Sequence, residues 1–180
     1  MENVANIIGV ELKPLKTFPD DRGFFREVVR AEEPIFRDGR FAQWSHSKMT
    51  QNVVKAWHFH HKQTDWWYLA LGRAQVALVD NREESSTYRS VMEFVLDGSS
   101  GADPKEQVLV RIPPGVLHGL KILSDEAHLF YVTSEVYDPL DEGRIPFNSQ
   151  EIPYSWGEGV ITVERDRKLH IPPYPRELIS

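Results

Sequence analysis

Three histidines and one aspartate are the residues of this sequence whose types and spacing point most directly to chemistry. His58 and His60 are two residues apart, so on a strand both side chains point to the same face. Asp65 follows five residues later, and we expect its carboxylate to fold back toward that face. His118 comes much later, three residues after a Pro-Pro-Gly turn at 113–115. The four side chains are predicted to converge on one site that performs acid–base or metal chemistry.

Their spacing resembles the two-part sequence pattern of the cupin barrels. The first part, H-x-H-(x)4-[E/D]-(x)6-G, matches residues 58–72, and the second part, P-x-G-x-x-H, matches residues 113–118. Aspartate stands where glutamate is usual, and the asparagine that usually follows the second part is missing. Imidazole and carboxylate ligands together suit Zn, Fe, Ni or Mn and do not choose among them. The metal ligands implied by this resemblance are His58, His60, Asp65 and His118.

Short apolar segments separated by turn residues predict the fold that positions these side chains. The turns include Gly72, residues 80–82 and the Gly-, Ser- and Asp-rich segment 96–104. Many short strands with regular turns indicate a sandwich or a closed barrel. We predict an all-β, cupin-like double-stranded β-helix, or jelly-roll barrel, with short peripheral helices. The strands predicted from residue 41 onward are 41–48, 53–59, 66–71, 74–80, 88–96, 107–112, 118–122 and 128–135.

The two ends of the chain are predicted to flank this barrel as parts of one domain spanning residues 1–180. Residues 1–40 are expected to supply N-terminal edge strands, including one apolar strand over 24–29 and one short helix within 31–39. Residues 149–180 have the composition of an irregular C-terminal tail, with a helical turn near 164–168. Such a tail is expected to pack against its own barrel or against that of a neighbour.

The composition of the chain excludes several classes of protein. Its 180 residues carry a net charge of −6, which argues against nucleic-acid binding because nucleic-acid-binding proteins usually present a basic face. Cysteine is absent, so the chain has no thiolate nucleophile, no disulfide and no cysteine-ligated zinc. The sequence has no apolar run of membrane-spanning length and no signal-peptide pattern at its N-terminus. We therefore expect a cytoplasmic protein without membrane or nucleic-acid partners.

Four segments in collinear order resemble the dTDP-4-dehydrorhamnose 3,5-epimerase family. They are 12–25 (LKPLKTFPDDRGFF), 112–120 (IPPGVLHGL), 123–134 (LSDEAHLFYVTS) and 137–148 (YDPLDEGRIPFN). The resemblance implies a small β-barrel that forms a homodimer with swapped edge strands. It also implies an enzyme of deoxysugar and polysaccharide biosynthesis, which acts on a nucleotide-linked 4-keto-6-deoxyhexose and requires no cofactor.

The resemblance implies a role for each matching residue. His58 stands at the place of the general base, Tyr131 at that of the general acid, and Asp166 at that of the aspartate that orients the base. Arg22 stands at the place of an arginine that contacts the nucleotide diphosphate across the dimer. The substrate contacts implied by the match are Arg22, Phe25, Gln43, Lys55, His118 and Glu142.

The proposed proton chemistry suits these side-chain types. Removing a proton beside a ketone needs a base that titrates near neutral pH, as imidazole does. Returning a proton to the opposite face of the sugar needs a donor across the pocket, and a phenol suits that role. A carboxylate that is hydrogen-bonded to the other imidazole nitrogen, the one that does not take the proton, fixes the tautomer of the base. The enolate oxygen that forms needs a cation or hydrogen-bond donors nearby.

The sequence departs from the family pattern at the residues that would stabilise the enolate oxygen. Lys55 replaces an arginine, His60 a glutamine, Asp65 a lysine and Tyr68 a second arginine. The replacements create the cupin-type metal set, so that a divalent ion could act as a Lewis acid in place of the missing lysine.

Two other interpretations stay open beside the epimerase. One is a metal-dependent cupin enzyme of another class, such as a dioxygenase or a small-acid isomerase, and the other is a non-catalytic sugar-binding protein.

Overall fold

The structure, a computed structural model, describes residues 6–37 and 40–172. Within them the chain forms twelve β-strands and two 3-10 turns, at Pro34–Phe36 and Glu164–Arg167. The strands in chain order are β1 (Glu11–Pro14), β2 (Thr17–Asp20), β3 (Gly23–Arg26), β4 (Gln43–Thr50), β5 (Val54–His60), β6 (Asp65–Leu71), β7 (Arg73–Asp80), β8 (Val91–Asp97), β9 (Val108–Ile112), β10 (Val116–Ile122), β11 (Glu126–Thr133) and β12 (Glu142–Arg144).

These strands form two five-stranded sheets and one hairpin. In spatial order the first sheet is β1-β9-β6-β11-β4 and the second sheet is β12-β5-β10-β7-β8, while β2 and β3 form the hairpin. All the pairings between named strands are antiparallel. Most consecutive strands lie in opposite sheets, as they do in a jelly roll. The predicted all-β, cupin-like barrel is confirmed.

The main hydrophobic core lies between the two sheets. On β6, Trp67 and Leu69 face this core while Trp66 lies in a separate cluster, which is the period-two alternation of a strand. Burying one such side chain contributes about 1.5–3 kcal/mol to stability relative to leaving it exposed. Buried members of the core from the second sheet are Ala74, Val76, Leu78, Met92, Leu96, Val116, Leu120 and Ile122.

Each sheet also buries part of its outer face under one end of the chain. The N-terminal segment covers the first sheet, where Ile35 and Phe36 pack on Trp66, and the indole Nε1 of Trp66 donates to the carbonyl of Ile35 at 2.8 Å. The C-terminal segment covers the second sheet, where the ring of Trp156 lies 5.0 Å from that of Trp57. The irregular tail is therefore packed on its own barrel, as one of the two predicted arrangements requires.

Several element predictions need correction. Residues 88–90, predicted to begin a strand, form a turn before β8, because the carboxylate of Asp80 accepts hydrogen bonds from Ser85 and Thr87 and closes the loop. Residues 28–29 follow β3 instead of extending it. β12 was not predicted, although it adds an edge strand to the second sheet beside β5.

The predicted peripheral helices are 3-10 turns. The first is much shorter than the helix expected within 31–39, of which residues 38–39 lie outside the described part of the chain. Residues 1–5 of the predicted edge region and 173–180 of the predicted tail also lie outside it.

The single-domain assignment over 1–180 stays a prediction. In the part that the structure describes, no helix is long and apolar enough to cross a membrane.

Candidate active site

A cavity of about 260 Å³ lies between the two sheets. Both sheets supply side chains to it, and Arg165 enters from the C-terminal 3-10 turn. Most of these side chains are polar, in contrast to the apolar core beside them. The lining residues are Gln43, Ser47, Lys55, His58, His60, Gln63, Asp65, Trp67, His118, Leu120, Leu129, Tyr131, Thr133, Tyr137, Glu142 and Arg165.

The strand β5 carries His58, His60 and Lys55 to the cavity. His58 and His60 share a face, as predicted, but Lys55 is three residues from His58 and would face away from it on a regular strand. The pairing with β10 shifts between these positions, since His58 pairs with His118 while Lys55 pairs with Leu120. This β-bulge inserts one residue into β5 and turns Lys55 inward.

His58 has a carboxylate near each ring nitrogen. Its Nε2 lies 3.2 Å from Oδ1 of Asp166, and its Nδ1 lies 3.5 Å from Oε1 of Glu142. The Asp166 side chain is only 1% exposed, and its Oδ2 has no hydrogen-bond partner among the described residues. The same oxygen of Glu142 is paired with the guanidinium of Arg144, 2.7 Å away. The structure thus brings together His58 and Asp166, which the sequence predicts as base and orienting residue.

Tyr131 and Gln43 reach the cavity from the first sheet. Gln43 is held by two hydrogen bonds, since its amide donates to Oγ of Ser45 at 2.9 Å and its carbonyl accepts from the backbone N–H of Tyr137 at 3.0 Å. His58 comes from β5 of the second sheet, whereas Tyr131 comes from β11 of the first. The predicted base and the predicted acid therefore stand on opposite walls of one cavity.

His60, Asp65 and His118 form a compact cluster on the cavity wall. Their ligand-type atoms all lie within 4.8 Å of one another. His58, the fourth predicted metal ligand, lies outside this group, because its nitrogens face Asp166 and Glu142. Asp65 begins β6 in the facing sheet, and from there its carboxylate reaches the face of His60, with Oδ2 4.0 Å from Nε2.

Burial shifts the pKa of two members of this cluster. It raises the pKa of the Asp65 carboxyl, although the nearby His60 and a hydrogen bond from Gln63 act in the opposite direction. Burial, together with the charges of His60 and His58, lowers the pKa of His118 well below its usual range.

Two residues that sequence reasoning missed hold the loop between β5 and β6. Asp141 accepts hydrogen bonds from the backbone N–H groups of His61, Lys62 and Gln63, at 2.9–3.2 Å. The amide of Gln63 donates to Asp65 at 2.6 Å and approaches Nε2 of His60 at 3.1 Å. Asp141 lies almost 80 residues from the loop that it holds, so no local sequence signal identifies it.

Cationic side chains line the part of the cavity near Lys55. The Lys55 ammonium donates to Oγ of Ser47 at 2.6 Å. Burial lowers the pKa of Lys55, the nearby Arg165 lowers it further, and Asp166 opposes the change. Ser47, Tyr137 and Arg165 were not predicted as site residues. Arg165 is next to the predicted Asp166, which is the one sequence signal that could have found it.

Arg22 and Phe25 lie away from the cavity of their own chain. Both belong to the β2–β3 hairpin region, which is separate from the two main sheets. The Arg22 side chain is 89% exposed and pairs with Asp20 at 2.6 Å, and Phe25 is 65% exposed. One chain therefore does not bring these two predicted substrate contacts to the other site residues.

Comparison with known proteins identifies close similarities over most of the chain. The profile of the dTDP-4-dehydrorhamnose 3,5-epimerase family matches residues 5–171. The spore coat polysaccharide biosynthesis protein SpsL of Bacillus subtilis is 39% identical over 153 residues, which cover 83% of this chain and 96% of the relative. The dTDP-4-dehydrorhamnose 3,5-epimerase of Salmonella typhimurium is 35% identical over 147 residues, covering 78% of this chain and 77% of the relative.

A solved structure is similar over nearly the whole barrel. It is that of a dTDP-6-deoxy-D-glucose-3,5-epimerase from Legionella pneumophila in complex with dTDP-4-keto-L-rhamnose, which is 25% identical to this chain. The match has a TM-score of 0.78 and covers 90% of this chain and 87% of the other.

Proposed function

Because this chain belongs to the dTDP-4-dehydrorhamnose 3,5-epimerase family, we propose that it epimerises a nucleotide-linked 4-keto-6-deoxyhexose. The reaction would remove a proton from a carbon next to the ketone and return one to the opposite face. The observation that carries this proposal is the placement of His58, backed by Asp166, across one cavity from Tyr131.

The contacts of His58 support its role as the base. If Nε2 donates its hydrogen to Asp166, Nδ1 keeps a free lone pair that can accept a proton from the sugar carbon. The imidazolium that results would lie between the carboxylates of Asp166 and Glu142. The contact with Asp166 fixes the tautomer and the orientation of the ring during this transfer.

Tyr131 is the proposed acid. Its phenol is a donor on the wall opposite His58, which is the geometry that inversion at carbon requires. Both proton transfers use side chains of this chain, so the proposed reaction has no need of an organic cofactor.

Lys55 and Arg165 are the proposed partners of the nucleotide diphosphate. Both line the cavity, and their positive charges offset locally the net charge of −6 carried by the whole chain. Gln43 and Tyr137 lie on the same cavity wall and are linked by a hydrogen bond. We assign them to the sugar or the base of the substrate.

We also propose that the active unit is a homodimer. The β2–β3 hairpin carries Phe18, Phe24 and Phe25 at its surface, each more than 40% exposed, and apolar patches of this kind commonly mark interfaces. A partner seated there would give Arg22 a second cavity to reach, as the family resemblance implies. The cytoplasmic location expected from the sequence stays a prediction.

Deuterium exchange tests the proposed reaction directly. The full-length protein is incubated in heavy water with a dTDP-linked 4-keto-6-deoxyhexose, and label at sugar carbons 3 and 5 is followed by NMR. We expect exchange in the parent protein. In His58→Asn the exchange rate should fall by about 10²–10⁴-fold, which is the usual contribution of a general base to the rate. Nucleotide-sugar binding should persist in this variant, because Lys55 and Arg165 are untouched.

Tyr131→Phe separates the acid from the base. Exchange should continue in this variant, since water can reprotonate the enolate, but inversion should be impaired. His128→Asn and Tyr88→Phe are the matched controls, because both side chains lie outside the cavity, and both should behave like the parent. Exchange in His58→Asn at the parental rate would exclude His58 as the base. Tight binding without exchange in the parent would favour the non-catalytic sugar-binding interpretation.

A further inference from the structure

We infer that His60, Asp65 and His118 form a binding site for one divalent transition-metal ion on the wall of the catalytic cavity. Oδ2 of Asp65 lies 3.6 Å from Nε2 of His118 and 4.0 Å from Nε2 of His60. The three residues come from β5, β6 and β10, so the two sheets enclose the site between them.

The separations of these atoms suit ligands of a common ion. Metal–nitrogen and metal–oxygen bonds of about 2.0–2.2 Å place neighbouring ligands roughly 3–3.5 Å apart. The observed 3.6 and 4.0 Å are slightly longer and are too long for direct hydrogen bonds. The three ligand atoms are therefore not hydrogen-bonded to one another, and a small rotation of each side chain would close the cluster on an ion. The Gln63 amide, 3.1 Å from Nε2 of His60, would give up that contact to the ion.

The outer contacts of both histidines direct the lone pair of Nε2 into the cluster. Nδ1 of His118 lies 3.2 Å from the carbonyl of Val116 and can only donate to it. Nδ1 of His60 lies 3.8 Å from Oδ2 of Asp141 and faces that carboxylate. His118 thus has the usual arrangement of a metal-ligating histidine, in which the ring nitrogen away from the ion donates its N–H to a carbonyl or carboxylate. In His60 the lone pair is assigned to Nε2 because that nitrogen faces the amide N–H of Gln63 at 3.1 Å.

Gln63 fixes the carboxylate of Asp65 in the orientation that an ion needs. Its amide donates to Oδ1 at 2.6 Å, so Oδ2 is the oxygen turned toward the histidines. The backbone N–H of Gln63 is in turn held by Asp141 at 3.2 Å. Asp141 thus contacts both the loop of Gln63 and the ring of His60, and it acts as a positioning residue for two of the three ligands.

Two imidazoles and one carboxylate leave coordination positions open for substrate or water, and this ligand set suits Fe, Zn, Ni or Mn. All three residues line the same cavity as His58 and Tyr131. His58 is not needed as a ligand and remains available as a base. An ion at this position would polarise a carbonyl oxygen and stabilise the enolate, a role that rests on the proposed function.

Metal binding can be measured without any substrate. The full-length protein is stripped with chelator, dialysed against Zn²⁺, Ni²⁺, Mn²⁺ or Fe²⁺ in turn, and analysed by mass spectrometry for bound metal. We expect about one equivalent of at least one ion and a higher melting temperature, because a ligand that binds only the folded state stabilises it. His118→Gln and Asp65→Asn should each weaken binding at least about tenfold.

His128→Gln is the matched control for His118→Gln. His128 lies 2.9 Å from His46 in another close imidazole pair, which is outside the cavity, and its loss should leave the affinity unchanged. Circular dichroism checks that each variant is folded, and His60→Gln replaces any that is not. Weaker binding in the control but not in the cavity variants would overturn the inference.

The result is separable from the test of the epimerase. Failure of all four ions to bind the folded parent would overturn the metal site and leave the deuterium-exchange result to stand alone. If one ion binds, exchange is compared between stripped and reloaded protein. We expect the exchange rate to be at least tenfold higher after reloading. Equal exchange rates would show that the ion has no catalytic role.

Discussion

At the scale of single residues, the environment of His58 determines what the cavity can do. A carboxylate stands near each of its ring nitrogens, and the nearer one, Asp166, is almost fully buried. A buried carboxylate is costly unless it is paired or hydrogen-bonded, and the Nε2–H of His58 supplies a hydrogen bond to Asp166. The same contact fixes the ring orientation that proton abstraction needs.

Asp166→Asn tests this contact. The amide keeps the shape of the carboxylate but removes its charge, so we expect kcat to fall by about 10²–10⁴-fold while KM changes little. The rate is measured at pH 7 on folded protein, and Asp125→Asn, at an exposed turn position, is the control. A purely structural role would lower the yield of folded protein without lowering the kcat of the folded fraction.

At the scale of elements, the irregularities of the strands matter as much as their regular parts. The bulge in β5 lets Lys55 and His58 both face the cavity while Ala56 and Trp57 pack outward. Gly119 on β10 makes room for it, since a Cβ there would lie 2.5 Å from Cβ of Ala56. The loop after β7 is a second irregular segment that is held in a defined shape. Its residues Ser85 and Thr87 donate hydrogen bonds to the fully buried carboxylate of Asp80.

The charge of Asp80 gives this loop a defined pH dependence. Burial alone would raise the pKa of its carboxyl, but hydrogen bonds from Arg82, Ser85 and Thr87 outweigh burial and hold the pKa well below its usual range. A pKa that is lower in the folded state stabilises the protein above the unfolded-state value of about 3.9. The stabilisation is lost as the pH falls through the folded-state pKa.

Asp80→Asn should therefore destabilise the protein most at neutral pH. We expect the free energy of unfolding in urea to fall by about 1–3 kcal/mol at pH 7, because the amide leaves buried donors unsatisfied. The difference between parent and variant should shrink below about pH 4. Asp125→Asn serves again as the exposed control. A difference that stays constant down to pH 3 would show that the charge of Asp80 is not the cause.

At the scale of the whole molecule, the two sheets contribute different parts of the site. The second sheet supplies His58 and Lys55, the first supplies Tyr131 and Asp65, and the C-terminal tail adds Asp166 and Arg165. The β2–β3 hairpin remains apart from this arrangement and presents exposed aromatic side chains. This is the surface where we expect a second copy of the chain.

Light scattering at micromolar concentration should give twice the 20.8 kDa mass of one chain. Phe25→Asp should shift the protein toward monomer, because a charge in an apolar interface is unpaired. Leu169→Asp is the matched control, since Leu169 in the tail is 64% exposed and Phe25 is 65% exposed. Monomeric parent protein would contradict the homodimer. Equal effects of the two substitutions would place the interface elsewhere.

Local pattern in the sequence was sufficient for the elements and for part of the site. Alternating apolar residues and turn residues predicted the strands from β4 to β11, because side-chain alternation is a property of one strand. The spacing of His58 and His60 predicted their shared face for the same reason. Collinear segments predicted the family, and with it the pairing of His58 with Asp166, which lies 108 residues away.

Only the tertiary structure decided which distant residues meet. Asp65 joins His60 and His118 because β6 lies in the sheet facing β5, and His58 lies outside that group because its ring nitrogens face Asp166 and Glu142. Lys55 faces inward because the register between β5 and β10 shifts by one residue. Asp141 holds a loop far from it in sequence. These contacts depend on strand pairing, on register and on the path of the tail. Such features arise from packing across the whole barrel, and the alternation of apolar and polar residues within any one segment does not reveal them.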